Sequence, residues 1–244
     1  MLVASIPSRY RCEPLIAEVR GLLYEDAVDR VLVYDNGYGP DDAARIRAAL
    51  SGPRCTVVDA AGWPLHRMWN AGWEWAQEQG GEVSLAILND DVSLPLGALT
   101  ELEKRLRSRP DVGVVYPEGG RFRKFEDGIG PGPLVNTGGR LQEQRGMTGH
   151  AFMFRAEVRD IEKFDERFGW WYGDDDFVLK WALAGWKVCR AVGVPVKHVG
   201  MASSKGRPEL VPIRAADGVL FRQLYPEWVD SKARYERWPD EVIE

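Results

Sequence analysis

The chain has 244 residues, 45% hydrophobic and 28% charged, a balance that supports a sizeable globular core and excludes a disordered tail. A formal charge of −5 gives no global drive toward nucleic acid or an anionic membrane, and three scattered cysteines without a C-x-x-C pair suggest neither a disulfide framework nor a zinc knuckle. The N-terminus turns polar after a few apolar residues and no segment reaches the eighteen or so of a membrane span, so a reducing, cytoplasmic setting is expected.

In chain order, β-rich runs are predicted at 2–6, 30–35, 55–60, 83–90 and 112–117, with segments of period near 3.6 between them. One helix should begin at Pro40, with Asp41 and Asp42 in its first turn, and stop at Ser51-Gly52-Pro53. A second is predicted over 65–79, where Leu65, Met68, Trp69, Gly72, Trp73 and Ala76 form one apolar face. Repeated strand–helix–strand units predict an α/β fold, a mostly parallel central sheet with helices on both faces. Ligands in such sheets bind beyond the carboxyl ends of the strands, here at Pro7, Asp35, Asp59 and the trio Asn89, Asp90 and Asp91.

Beyond Pro117, residues 118–146 are rich in Gly and charge and read as an irregular, lid-like loop. Order should resume at 150–155, in a helix after the aspartate triplet, at 187–192 and in VPVKHVG, with a last helix near 213–224. There is no G-x-x-x-x-G-K-[ST] loop, no G-x-G-x-x-G after the first strand and no G-x-S-x-G elbow. With three histidines in all, a zinc hydrolase built on histidine clusters is not indicated. The ten tryptophans suit either core or a sugar-stacking wall.

Two acidic groups carry chemical meaning. AILNDDVSL ends a buried-looking strand in an amide and two carboxylates, hard oxygens of the kind that hold magnesium or manganese on a diphosphate. A plain alternative is a polar turn in which Asp91 or Ser93 caps the following helix. The second group is Asp174, Asp175 and Asp176, set directly behind Trp170, Trp171 and Tyr172. Acids in a first helical turn are worth roughly 0.3–1 kcal/mol each, which accounts for one or two of them. Aromatic neighbours desolvate a carboxylate and raise its proton affinity, which suits a general base.

Taken together and in order, ASIPSRYR, VLVYDNG, WNAG, LNDDVSLPLGALTELEKRL, DVGVVYP, TGHAFMFRAEV, FDERFGWWYGDDDFVLKWALAGWKV and VPVKHVG resemble the inverting GT-A glycosyltransferases of family two, especially the rhamnosyltransferase-like branch. The resemblance covers approximately residues 2–200. It implies a single GT-A catalytic domain over 1–200, with a nucleotide-sugar half at 1–117 and an acceptor and catalytic half at 118–200, and a C-terminal tail, 201–244, packed on it. It implies metal-assisted transfer of a hexosyl or deoxyhexosyl group, with inversion, from a nucleoside-diphosphate sugar to a hydroxyl on a glycan, protein or modified nucleobase.

Residue by residue, the resemblance implies that Pro7, Arg9 and Asp35 surround the base and ribose, with Arg67 and Asn70 nearby. Asp91 matches the second acid of the family's D-x-D and His198 its late histidine, together holding Mn2+ or Mg2+, with Asn89 or Asp90 beside the donor. Asp174 matches the catalytic base, while Trp170, Trp171, Tyr172, Asp175 and Asp176 would face the acceptor. Three positions depart from the pattern. Asn89 replaces the first acid, Gly173 replaces a glutamate and leaves Asp174 and Asp175 as alternatives for the base, and Trp69 stands where an arginine often precedes the asparagine. A GT-A nucleotidyltransferase would need a Gly-rich basic loop that IPSRYRCEP lacks, whereas a sugar-nucleotide- or carbohydrate-binding protein without turnover is the alternative.

Overall fold

Seven consecutive residues of the first strand, β1 (Leu2–Ser8), are buried, as expected of a strand covered on both faces. The computed structural model describes residues 1–119, 141–143, 147, 149–198, 207–226 and 242–243. The remaining elements are α1 (Cys12–Leu23), β2 (Arg30–Asp35), α2 (Pro40–Leu50), β3 (Cys55–Asp59), α3 (Leu65–Gln79), β4 (Ser84–Leu88), β5 (Val92–Ser93), α4 (Ala98–Ser108), β6 (Val112–Gly119), β7 (Leu141–Glu143), β8 (Ala151–Arg155), α5 (Gly173–Leu183), β9 (Lys187–His198), α6 (Val211–Leu224) and β10 (Val242–Ile243).

Strands follow the order β10-β7-β9-β6-β8-β4-β1-β2-β3. The pairs β3–β2, β2–β1 and β1–β4 are parallel, β8 runs antiparallel between β4 and β6, and β6 is parallel to β9. Thus β3, β2, β1, β4, β6 and β9 all point one way, the mostly parallel α/β sheet expected from the strand–helix alternation. Alternate strand residues serve opposite faces. Ala4, Ile6, Val31, Val33, Ala86 and Leu88 pack with α1, α2 and α4, while Val3, Leu32, Tyr34, Leu85 and Ile87 pack with α3 and α5.

Helix α3 spans the predicted 65–79 and buries the predicted stripe of Met68, Trp69, Gly72, Trp73 and Ala76. Gly72 permits its close approach to β1, because a Cβ there would stand 2.6 Å from Ser5 Oγ. Trp73 and Trp181 are fully buried among Phe154, Phe164 and Phe177, so these tryptophans are core. Each such ring removes about 150–250 Å² from water, roughly 4–6 kcal/mol of gross hydrophobic stabilisation at about 25 cal/mol/Å².

Two expected strands differ from the observed ones in a way that matters for the site. The run at 83–90 pairs only to Leu88, which releases Asn89, Asp90 and Asp91 into the turn before β5. The separate runs at 187–192 and in VPVKHVG form one strand, β9, kinked at Gly193 (φ 80°) where its register with β6 shifts. This bulge re-aims the end of β9 so that His198 pairs with Val92 of β5. Most of 118–146, the lid-like stretch, lies outside the described residues, as do 199 and 200 of VPVKHVG; Leu141–Glu143 form a strand against β9. Cys12, Cys55 and Cys189 are buried and form no disulfide among the described residues, and no described helix is long and apolar enough to cross a membrane.

Candidate active site

The carboxyl ends of β1 and β4 open onto a cleft of about 720 Å³, whose lining includes Ser8, Arg9, Asp90, Asp91, His150, Asp174 and His198. Asp90 is fastened to the opening loop: its Oδ2 accepts the Ser8 hydroxyl at 2.7 Å and the Arg9 N–H at 3.1 Å. Burial pushes its carboxyl up, against those two hydrogen bonds. Asp91 points the other way, where the β5–β9 pairing brings His198 Nε2 to 3.1 Å from its Oδ1. The pair lies in ion-pair range without hydrogen-bond alignment, so Oδ1 is a buried oxygen lacking a donor among the described residues. Burial raises the Asp91 carboxyl, but His198, then Arg11 and His150, outweigh it and the net shift is downward.

Two ligands about 2.1 Å from one small cation and at right angles stand about 3.0 Å apart. The Asp91–His198 spacing therefore fits adjacent positions on Mg2+ or Mn2+, ions that take few protein ligands and complete their shell with phosphate oxygens and water. No group of three or more His, Cys, Asp or Glu among the described residues is placed to hold an ion by itself.

Helix α5 begins on Gly173, after Tyr172 adopts a left-handed backbone (φ 65°) that turns the chain into the helix. Gly173 has a local cause: a Cβ there would overlap His66 Nε2. His66 is fully buried, and its Nδ1 lies 2.8 Å from the Phe168 carbonyl, which can only accept, so Nδ1 carries the proton and Nε2 presents its lone pair. Burial lowers the His66 pKa and keeps the ring neutral. Next in the chain, Asp174 accepts the Gly149 N–H at 3.0 Å through Oδ2, and burial raises its pKa against backbone N–H groups of the helix start.

The loop leading into α5 is fixed from the far end of the chain. Asp217 of α6, itself buried, accepts the Gly169 N–H through Oδ1 and the Trp170 and Trp171 N–H groups through Oδ2, each at 2.8 Å. Phe221 stacks on Tyr172 with centroids 5.2 Å apart, and the Tyr225 hydroxyl donates to Asp176 at 2.7 Å. Helix α6 thus carries the aromatic stretch that faces the cleft through Trp170 and Trp171.

Of the residues expected at the site, Pro7, Arg9, Asn89, Asp90, Asp91, Trp170, Trp171, Asp174, Asp175 and His198 share the cleft lining. Five expected residues do not, and each has another partner. Asp35 accepts the Gly37 and Tyr38 N–H groups and closes its own turn. Arg67 pairs with Glu74 and Glu166. Asn70 clamps Phe164, donating to its carbonyl and accepting its N–H. Tyr172 packs on α6. Asp176 is buried against Lys180 (2.8 Å) and Tyr225.

Several contributors escaped sequence reading. His66, Asp217 and Glu18 belong to no motif, and Gly149 and His150 lie within TGHAFMFRAEV but carry no role there. Both Glu18 carboxylate oxygens are buried without a partner among the described residues, and burial, then Asp90 and Asp91, push its carboxyl well up.

No family model matches the chain, and no curated protein matches it. Solved structures do share its fold. The mannosyltransferase PcManGT from Pyrobaculum calidifontis, in complex with GDP-Man and Mn2+, gives a TM-score of 0.61 at 14% identity, over 95% of this chain and 72% of its own. A mycobacterial protein gives 0.58 at 14%, over 93% and 74%. S. aureus TarS 1-349 gives 0.57 at 15%, over 94% and 82%. At these identities the likeness concerns the architecture, a GT-A fold.

Proposed function

We propose that the chain is a glycosyltransferase that moves a sugar from a nucleoside-diphosphate sugar to an acceptor hydroxyl with inversion. The observation that carries this reading is the convergence of Asp91, His198 and Asp174 on one cleft at the carboxyl ends of the parallel strands. The shared fold adds support, since one structure with that fold is a mannosyltransferase in complex with GDP-Man and Mn2+. Asp91 and His198 would hold a divalent cation, with Asn89 and the Asp90-anchored loop of Pro7 and Arg9 beside the donor. When bound, that cation supplies positive charge against which a diphosphate can depart.

Asp174 is the base. Its carboxylate, held by the Gly149 N–H, takes the proton of the acceptor hydroxyl as that oxygen forms a bond to the anomeric carbon. The anomeric carbon–oxygen bond to the diphosphate breaks with its electron pair leaving on the diphosphate, and a single in-line displacement inverts the centre. Burial around Asp174 makes it a better proton acceptor than a solvated aspartate. Trp170 and Trp171 offer flat apolar faces for the acceptor, with Asp175 alongside. Gly173, where a glutamate is expected, leaves room for His66, which any side chain at that position would overlap.

The test is release of nucleoside diphosphate from a panel of nucleotide sugars, with and without Mn2+, by wild type and Asp174→Asn. A loss of about 10²- to 10⁴-fold in the variant is expected of a missing general base. Equal release by both proteins overturns the assignment.

A further inference from the structure

His150 belongs to no acidic or metal motif, yet its ring lies flat on that of His198, with centroids 4.2 Å apart and planes within 10°. Its Nε2 is buried and has no hydrogen-bond partner among the described residues. Its backbone is tied to the acidic turn, because the Asn89 N–H donates to the His150 carbonyl at 2.9 Å. The preceding residue, Gly149, is the one whose N–H holds Asp174. A single two-residue turn at the start of β8 therefore touches both halves of the cleft: one residue supports the proposed base, the other the proposed cation ligand.

Resting on the cation reading above, we infer that His150 is a positioning residue for His198. An imidazole at the end of a strand can swing about its χ angles, and Nε2 must stay near Asp91 Oδ1 for both to reach one ion. The His150 ring closes one face of His198 and leaves Nε2 on the Asp91 side, 3.1 Å from Oδ1. An aromatic face also suits an imidazole that becomes electron-poor when its nitrogen binds a cation, by the same attraction that places cations over rings. The effect requires a flat π surface at position 150 and does not require a nitrogen there. Groups that orient a metal ligand commonly change metal affinity by about 10- to 100-fold when removed.

The experiment titrates Mn2+ into wild type, His150→Ala and His150→Phe, following the free ion by electron paramagnetic resonance, alone and with GDP or UDP present. Circular dichroism melts accompany each protein. The expected result is that His150→Ala binds Mn2+ at least about 10-fold more weakly, while His150→Phe stays within about 3-fold of wild type. Equal affinity in all three proteins overturns the inference and leaves the proposed function standing. Equal weakening in both variants overturns it too, since the nitrogen and not the ring face would then matter. Failure of wild type to take up Mn2+ under any condition removes the cation from the proposed function itself, and this inference with it. If His150→Ala does not fold, His150→Leu replaces it, filling the space without a π face, and the same 10-fold difference from His150→Phe is required.

Discussion

Asp217→Ala removes the α6 carboxylate that accepts three backbone N–H groups of the Gly169–Trp171 loop. Three N–H groups lose a carboxylate acceptor at 2.8 Å, and hydrogen bonds to charged groups are typically worth about 1.5–3 kcal/mol each. The gross sum is reduced because a buried carboxylate no longer has to be desolvated and because water can reach these part-buried amides, leaving a net loss of about 2–4 kcal/mol. For a chain of this size about 1 kcal/mol shifts the melting midpoint by roughly 2–4 °C, so a fall of about 4–16 °C is expected. Urea and thermal unfolding measure the loss, and amide hydrogen exchange locates it, with faster exchange at 169–171 than in β1 or β4. An Asp217→Ala protein within about 0.5 kcal/mol of wild type and with unchanged exchange at 169–171 would refute the claim that α6 holds this loop.

Further outcomes follow from the same geometry. With Asp174 as the proposed base, the acid limb of the pH–rate profile should lie above the ordinary aspartate value near 3.9, because burial raises its carboxyl and only the ionised form accepts a proton; activity then falls as pH drops through the raised pKa, and a limb at or below the ordinary value contradicts the proposal. Gly173→Ala drives a methyl group into His66 Nε2, which should cost about 1–3 kcal/mol of stability by overpacking, measured by denaturant titration; a neutral substitution would show that His66 does not fill that space. Asn70→Ala should lower stability by about 1–3 kcal/mol while leaving donor affinity in isothermal titration unchanged, since Asn70 clamps Phe164 and not the cleft; a large loss of donor affinity without a loss of stability would reverse that placement.

Much of the fold was legible because its signals are local. The apolar stripe of α3 recurs within each turn, the start and stop of α2 are marked by Pro40 and by Ser51-Gly52-Pro53, and the parallel strands end in recognisable polar residues. The same locality limits what it can place. Asp35, Arg67 and Asn70 sit near strand or helix ends like the residues that line the cleft, but nearby backbone groups or charges engage them and they lie outside its lining. The aspartate triplet divided by helical phase: Asp174 and Asp175 face the cleft, while Asp176 turns inward to Lys180 and Tyr225.

Periodicity and end-capping chemistry extend over a dozen or so residues, and the order of strands and helices and the two acidic clusters can be read at that range. Which side chains meet across the cleft cannot, because it rests on contacts between segments far apart in the chain: the bulge at Gly193 that brings His198 beside Asp91, the turn that sets His150 on His198, and the packing of α6 that places Asp217 beneath Trp170. Those contacts form only when the sheet closes and the helices dock on it, since burial and mutual exclusion of side chains, as between His66 and Gly173, have no counterpart in the extended chain.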